Sequence, residues 1–159
     1  MAKRNYNGVQ INPTATIVEK AGAEIADVRN RIMKYDDNGN VVLAAAGTDL
    51  PVGVAIIEAG YNDISGVESG KAAAGDDIDI AVKDIVVCVA GATIEKGQEV
   101  AAGANGLAVA AASGDYVLGI ALEAAEADDY VVVQIAKYQK NSEMLDDDET
   151  TGEETTGEE

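Results

Sequence analysis

Two stretches of the chain share one pattern of apolar and small residues. With a shift of 66 positions and no gap, residues 43–59 align with residues 109–125. Leucine, valine or isoleucine recurs at matching places, and the following pairs are identical: Ala44/Ala110, Ala45/Ala111, Ala46/Ala112, Asp49/Asp115, Gly53/Gly119 and Ala55/Ala121. Such a repeat indicates one supersecondary unit used twice, and two copies are too few for a solenoid. The pattern therefore predicts a single pseudo-symmetric domain.

The repeat contains a predicted strand in each copy, at 52–57 and 117–122. Bulky residues occupy one face of each strand, whereas the other face carries Gly53 and Ala55, or Gly119 and Ala121. The bulky face suits a core, and the small face permits close approach by a second sheet, a loop or another subunit. A thinly packed second sheet explains the small face equally well, and both interpretations stay open.

Turn signals and further alternating runs complete an all-β pattern. Each copy follows an Asn-Gly pair, Asn38-Gly39 or Asn105-Gly106, which predicts hairpin tips at those positions. We expect a first strand at 14–18, a strand from Arg31 onward, and strands after the acidic pairs at 78–82 and 130–137. A change of alternation phase at Lys83-Asp84 predicts a bulge or tight bend.

These elements predict a barrel-like sandwich of two related β modules in one domain, residues 13–138. Module one spans about 23–90 and module two about 92–137, and residues 1–12 form an extended arm. Residues 60–76 have no counterpart in the second copy, so they are interpreted as a loop insertion, where functional contacts often lie.

Charge and composition narrow the possible partners. The net charge is −18, and residues 141–159 contain nine acids and no base. Such a tail, taken from residue 139, is predicted to be disordered, and so acidic a chain should bind neither nucleic acid nor membrane.

Residues 1–34 instead carry six bases and three acids, with no apolar stretch typical of a signal peptide. The domain lacks Phe and Trp, and so thin a core favours association with copies of itself; we predict a trimer.

The sequence offers no catalytic or metal-binding constellation. Histidine is absent, which removes the commonest general base, and a single cysteine, Cys88, cannot build a zinc site. We interpret Cys88 as a small buried apolar residue. The segment Asp36–Asn40 resembles part of a calcium loop, but its glycine is at the wrong position. We therefore expect no enzyme activity, cofactor or metal.

One segment carries a family resemblance. Residues 116–135, with a Leu-Gly-Ile-Ala-Leu-Glu-Ala-Ala strand followed by Val-Val-Val-Gln-Ile, resemble the C-terminal part of small tailed-phage capsid cement (head decoration) proteins. The hairpin at 96–109 is similar to theirs as well. The resemblance implies a small all-β protein that coats the outside of a phage head and reinforces contacts between major capsid protein subunits. The 60–76 insertion and the acidic tail depart from the family pattern.

The resemblance implies a virion protein made in the host cytoplasm, with the major capsid protein as its partner. The alternative is a phage head fibre or a surface-displayed adhesin module. We expect capsid or subunit contacts at the arm and the insertion, through Lys3, Arg4, Tyr6, Tyr61 and Lys71.

Overall fold

The chain folds almost entirely into strands. The computed structural model describes residues 15–62, 64 and 69–141. The strands are β1 (Thr16–Lys20), β2 (Ile32–Tyr35), β3 (Val41–Leu43), β4 (Gly53–Ala55), β5 (Asp77–Ala81), β6 (Ile85–Val89), β7 (Glu99–Ala102), β8 (Ala108–Ala110), β9 (Tyr116–Ala121) and β10 (Tyr130–Gln139), and a 3-10 turn (Ala104–Gly106) joins β7 to β8.

The strands form two antiparallel sheets with the same topology, as the repeat predicts. The orders are β1-β5-β4-β2-β3 and β6-β10-β9-β7-β8, so each strand of the first sheet has a counterpart five strands later. The register repeats too, because Val54 faces Ala81 and Ala55 faces Ile80, while Ile120 faces Gln134 and Ala121 faces Val133. The prediction of an all-β sandwich from two related modules is confirmed.

The sheets divide the chain between Ala81 and Ile85, at the place where the alternation changes phase. Asp84 there adopts a φ of 67°, a left-handed conformation that Asp tolerates better than most residues. The sequence placed module one at about 23–90 and module two at about 92–137. The first sheet also contains β1, which precedes residue 23, and β6, which ends at Val89, belongs to the second sheet. Both are edge strands outside the repeated motif, so the repeat gave no signal for them.

Both predicted hairpins are present, with different turns. In the second, Asn105 and Gly106 both have positive φ, as a tight Asn-Gly hairpin requires. In the first, only Gly39 does, and the Asp36 carboxylate instead accepts the backbone N–H groups of Asn38 (2.8 Å) and Asn40 (2.9 Å). Asp36 is therefore a turn residue, which explains the resemblance to a calcium loop.

Two apolar clusters form the core. One lies within the first module and includes Met33, Ile78 and Ile80. The other contains the inner residues of the second module together with Ile32, Ala44 and Val54 of the first module. Residues of both modules thus pack together in one cluster, and this apolar contact holds the two sheets against each other.

Both faces of the repeated strands contain buried residues. Ala55 and Ala121 of the small face are almost fully buried, and so are Val54 and Leu118 of the bulky face, whose outer members Val52, Ile56, Ile120 and Leu122 are only partly buried. Gly53 and Gly119 lie against the backbone of the neighbouring strands β5 and β10. Close approach at both glycines is therefore made by an adjacent strand of the same sheet, a partner that neither interpretation of the small face had named.

The repeated aspartates hold the alanine-rich loops. Asp49 accepts the backbone N–H of Ala45 (2.8 Å) and of Ala46 (3.2 Å), and Asp115 accepts that of Ala112 (2.8 Å). Asp49 also pairs with Lys34 at 2.8 Å. Burial opposes the ionisation of Asp49, but the hydrogen bonds from Lys34 and Ala45 outweigh it, so the pKa of Asp49 lies below its ordinary value. The hydrogen bond from Asn40 N–H lowers the pKa of Asp36 likewise.

Acid should therefore destabilise the fold. A carboxylate with a lowered pKa contributes stability above its unfolded pKa, and that stability is lost as pH falls through the folded value. We expect the melting temperature to be steady from about pH 7 to 5 and to fall below about pH 4. Asp49→Asn should cost about 1 kcal/mol at pH 7 and much less at low pH, measured by thermal unfolding. Glu123→Gln, at an exposed carboxylate, is the control; a pH-independent effect of Asp49→Asn would contradict the assignment.

Candidate functional site

Four large apolar side chains remain exposed around one groove on the surface. They are Ile57, Ile85, Val87 and Tyr130; Ile85 is 61% exposed and Tyr130 is 58% exposed. The groove has a volume of about 420 Å³. We call this groove, with these four side chains, the apolar groove. Clustered exposed apolar side chains of this kind are typical of interaction surfaces.

The apolar groove lies where the two modules meet. Val54, Ala55 and Ala81 of the first sheet line it, and the segment from Ile56 to Glu58 forms one wall. The opposite wall is the start of β6, an edge strand whose only partner among the described strands is β10. The groove is thus bounded by an edge whose outer backbone groups are open to pairing.

Asn30 closes one end of the groove and connects the modules. Its N–H donates to the carbonyl of Ala55 (2.9 Å), and its carbonyl accepts the N–H of Val89 (3.1 Å). This geometry requires a φ of 56°, which asparagine adopts more readily than most residues. Asn30 is 5% exposed, so the bend is fixed inside the structure.

A bidentate ion pair between Asp27 and Arg29 lies in the segment that directly precedes Asn30. Arg29 donates from Nε to Asp27 Oδ1 (2.9 Å) and from its terminal nitrogen to Oδ2 (2.8 Å). The hydrogen bond from Arg29 lowers the pKa of Asp27, and Asp27 raises the pKa of Arg29. A Cβ on Gly70 would lie 2.2 Å from Asp27 Oδ1 and 2.6 Å from Arg29 Nε. The pair therefore packs on the bare backbone of Gly70, part of the loop beside the groove.

Tyr61 and Lys71 meet in that loop. The N–H of Tyr61 donates to the carbonyl of Lys71 (2.7 Å), and the N–H of Gly70 donates to the carbonyl of Tyr61 (2.7 Å). The Tyr61 side chain is 59% exposed, and Lys71 Nζ lies 3.6 Å from Glu24. Arg29 links this loop to the groove, because it packs on Gly70 and interacts electrostatically with Tyr130 of the groove. We call the apolar groove together with Arg29, Tyr61 and Lys71 the groove face.

The structure thus brings together two of the five predicted contact residues, ten positions apart in the sequence. Lys3, Arg4 and Tyr6 lie outside the described residues, as does the predicted tail from residue 142 onward. Contact through any of these residues stays a prediction. The last strand reaches Gln139, one residue into the segment assigned to the tail.

Sequence reasoning missed the groove residues Ile57, Ile85, Val87 and Tyr130. The run from Ile85 to Val89 is apolar throughout, so the pattern could not show which face is buried. Val86 and Cys88 face inward, as expected for Cys88, and this orientation leaves Ile85 and Val87 on the exposed face of β6. The sequence carried no signal for this exposure, because it does not show that β6 lies at the edge of its sheet.

The remaining reactive groups have structural roles. Cys88 is fully buried, and burial raises the pKa of its thiol to about 12, which keeps it protonated and inert. Lys137 Nζ donates to the carbonyl of Val52 (2.7 Å), and burial lowers the pKa of Lys137. Across residues 15–62, 64 and 69–141, no three His, Cys, Asp or Glu side chains are grouped to hold a metal ion. Within the same residues, no helix is long and apolar enough to span a membrane.

Comparison with known proteins identifies the family. The model of a family described as phage cement protein matches residues 10–135, most of the chain. The chain belongs to the phage cement protein family. Members of the phage cement family are structural proteins associated with the phage head, so this protein is a component of the virion.

A solved structure supports the fold assignment. The fold is similar to that in "The crystal structure of head fiber gp8.5 N base in bacteriophage phi29", with a TM-score of 0.58 and 20% sequence identity. The match covers 80% of this cement family member and 98% of that chain. At this identity the likeness shows a shared fold only. No curated protein matches the sequence.

Proposed function

We propose that this cement family member binds the outer surface of the assembled phage head and stabilises contacts between major capsid protein subunits. The groove face is the proposed contact surface. It combines exposed apolar side chains with Tyr61, Arg29 and Lys71, and aromatic and arginine side chains are enriched where protein interfaces bind most tightly.

The observation that carries the proposal is the continuity of the groove face across both modules. A structural protein that reinforces a shell needs a firm surface, and this one is fixed by the Asn30 bridge between the sheets and by the Gly70 packing. Capsid binding through such a preorganised surface loses little conformational entropy. The predicted trimer would form through surfaces of the domain other than the groove face.

A head fibre is the second candidate function, favoured by the structural likeness to a head fibre base. Both functions place the protein on the head. A cement protein stabilises the shell to which it binds, whereas a fibre base only anchors a structure that projects from the shell. Binding to heads that lack this protein supports either function, whereas a gain in the resistance of bound heads to heat or chelators supports cement.

Tyr61→Ala should weaken head binding without weakening the fold. An exposed tyrosine at an interface commonly contributes 1–2 kcal/mol or more, so we expect about a tenfold or larger rise in Kd. The melting temperature should stay the same, because the loop contact of Tyr61 is made by its backbone. The measurement is co-sedimentation of purified protein with undecorated heads over a concentration series.

Tyr35→Ala is the matched control for this measurement. Tyr35 is also an exposed tyrosine, at 46%, but it lies in a separate groove with Leu50 and Lys137. Its replacement should leave head binding unchanged. Equal losses for both variants, or none for Tyr61→Ala, would exclude the groove face as the contact surface.

A further inference from the structure

The outer edge of β6 presents backbone groups that are ready to pair with another strand. Val89 N–H donates to Asn30, away from β10, whereas the next residue, Ala90, donates to Asp129 (2.8 Å) on the β10 side. Peptide groups alternate in direction along an antiparallel strand. The N–H groups of Ile85 and Val87 therefore point outward, into the groove, while those of Val86 and Cys88 point to β10.

The chain itself supplies a segment that fits this edge. Val9, Ile11 and Pro13 alternate with Gln10 and Asn12, so a strand here has one apolar and one polar face. Five extended residues span about 17 Å, the length of the five-residue strand β6. Two apolar side chains on one face suit an apolar groove of this size.

The described chain begins near one end of the groove. The carbonyl of Ala15, the first described residue, accepts the N–H of Val82 (2.8 Å), and Thr16 and Val54 flank Ala81 on opposite sides. The arm therefore starts across β5 from the β4 wall of the groove, near the Ala81 end and away from Asn30. A segment that crosses the link between β5 and β6 and then follows the outer edge of β6 toward Val89 runs antiparallel to β6.

We propose that residues Val9–Pro13 of the same chain add to β6 as an antiparallel strand and place Val9 and Ile11 in the apolar groove. The docked strand covers the outward N–H groups of Ile85 and Val87. It is a binding site for the chain's own arm, which covers the apolar part of the groove face and leaves Arg29, Tyr61 and Lys71 for the proposed head contact.

Amide hydrogen exchange of the free protein, followed residue by residue by NMR, tests this proposal. In the intact chain the amides of Ile85 and Val87 should be protected, and Ile11→Asp should speed their exchange at least about tenfold. Val86 and Cys88, which donate to β10, should stay protected in both proteins. Gln10→Asp adds the same charge on the opposite face of the arm and should preserve protection of Ile85 and Val87.

Three results would overturn the proposal. The amides of Ile85 and Val87 exchange freely in the intact chain, or Ile11→Asp leaves their protection unchanged, or dilution removes the protection, which indicates the arm of a second copy. Protection that appears only when heads are added would assign the groove to a capsid segment. That result would exclude the docked arm and leave the proposed head binding intact.

Discussion

Replacing Gly119 with alanine should lower the free energy of unfolding by about 2–4 kcal/mol, and Gly53→Ala should do nearly the same. A Cβ on Gly119 would lie 2.0 Å from the carbonyl oxygen of Gln134, and one on Gly53 would lie 2.1 Å from that of Ala81. These obstacles are backbone atoms of the neighbouring strand, which cannot move aside without breaking the ladder. The measurement is urea unfolding of each variant.

Gly114→Ala provides the comparison for these variants. Gly114 has a φ of 88°, and a Cβ there would meet no atom within 4 Å. Its replacement carries only the conformational penalty of a left-handed backbone, about 1 kcal/mol. If Gly119→Ala costs no more than Gly114→Ala, the strands are not held together as closely as the structure shows.

The fold was predictable because its two modules give the same signals twice. The identical Gly-x-Ala strands, the Asn-Gly pairs and the acid-led final strands each recur, and the two sheets repeat one strand order. The spacing of Gly119 and Ala121 predicted a close approach but could not show to what. That partner is the adjacent strand, which is set by the strand order of each sheet and not by the pattern of one strand.

The groove face could be predicted only in part. Tyr61 and Lys71 lie in the segment without a repeat counterpart, and that difference pointed to them. Ile85 and Val87 belong to an apolar run in which both faces look alike, and Tyr130 begins a strand whose apolar residues suit a core. Their exposure follows from the position of β6 at a sheet edge and from the contact between modules, which neither periodicity nor composition contains.

Ile32→Ala is expected to destabilise both modules together. Ile32 is fully buried and lies in the cluster that contains residues of both sheets. Removing three buried carbons from such a site costs about 2–5 kcal/mol. For a domain of this size, that cost lowers the melting temperature by roughly 10 °C.

Calorimetry of the wild type, Ile32→Ala and Ile78→Ala tests whether the shared cluster makes the modules one folding unit. Ile78 is also fully buried, but its cluster lies within the first module alone. If the sheets are coupled through Ile32, Ala44 and Val54, all three proteins unfold in a single transition, and Ile78→Ala shifts the whole of it. Two transitions, with only one lowered by Ile78→Ala, would show that each sheet unfolds independently. The Asn30 bridge would then be too weak to hold the groove face rigid, and the argument for a preorganised capsid contact would fail with it.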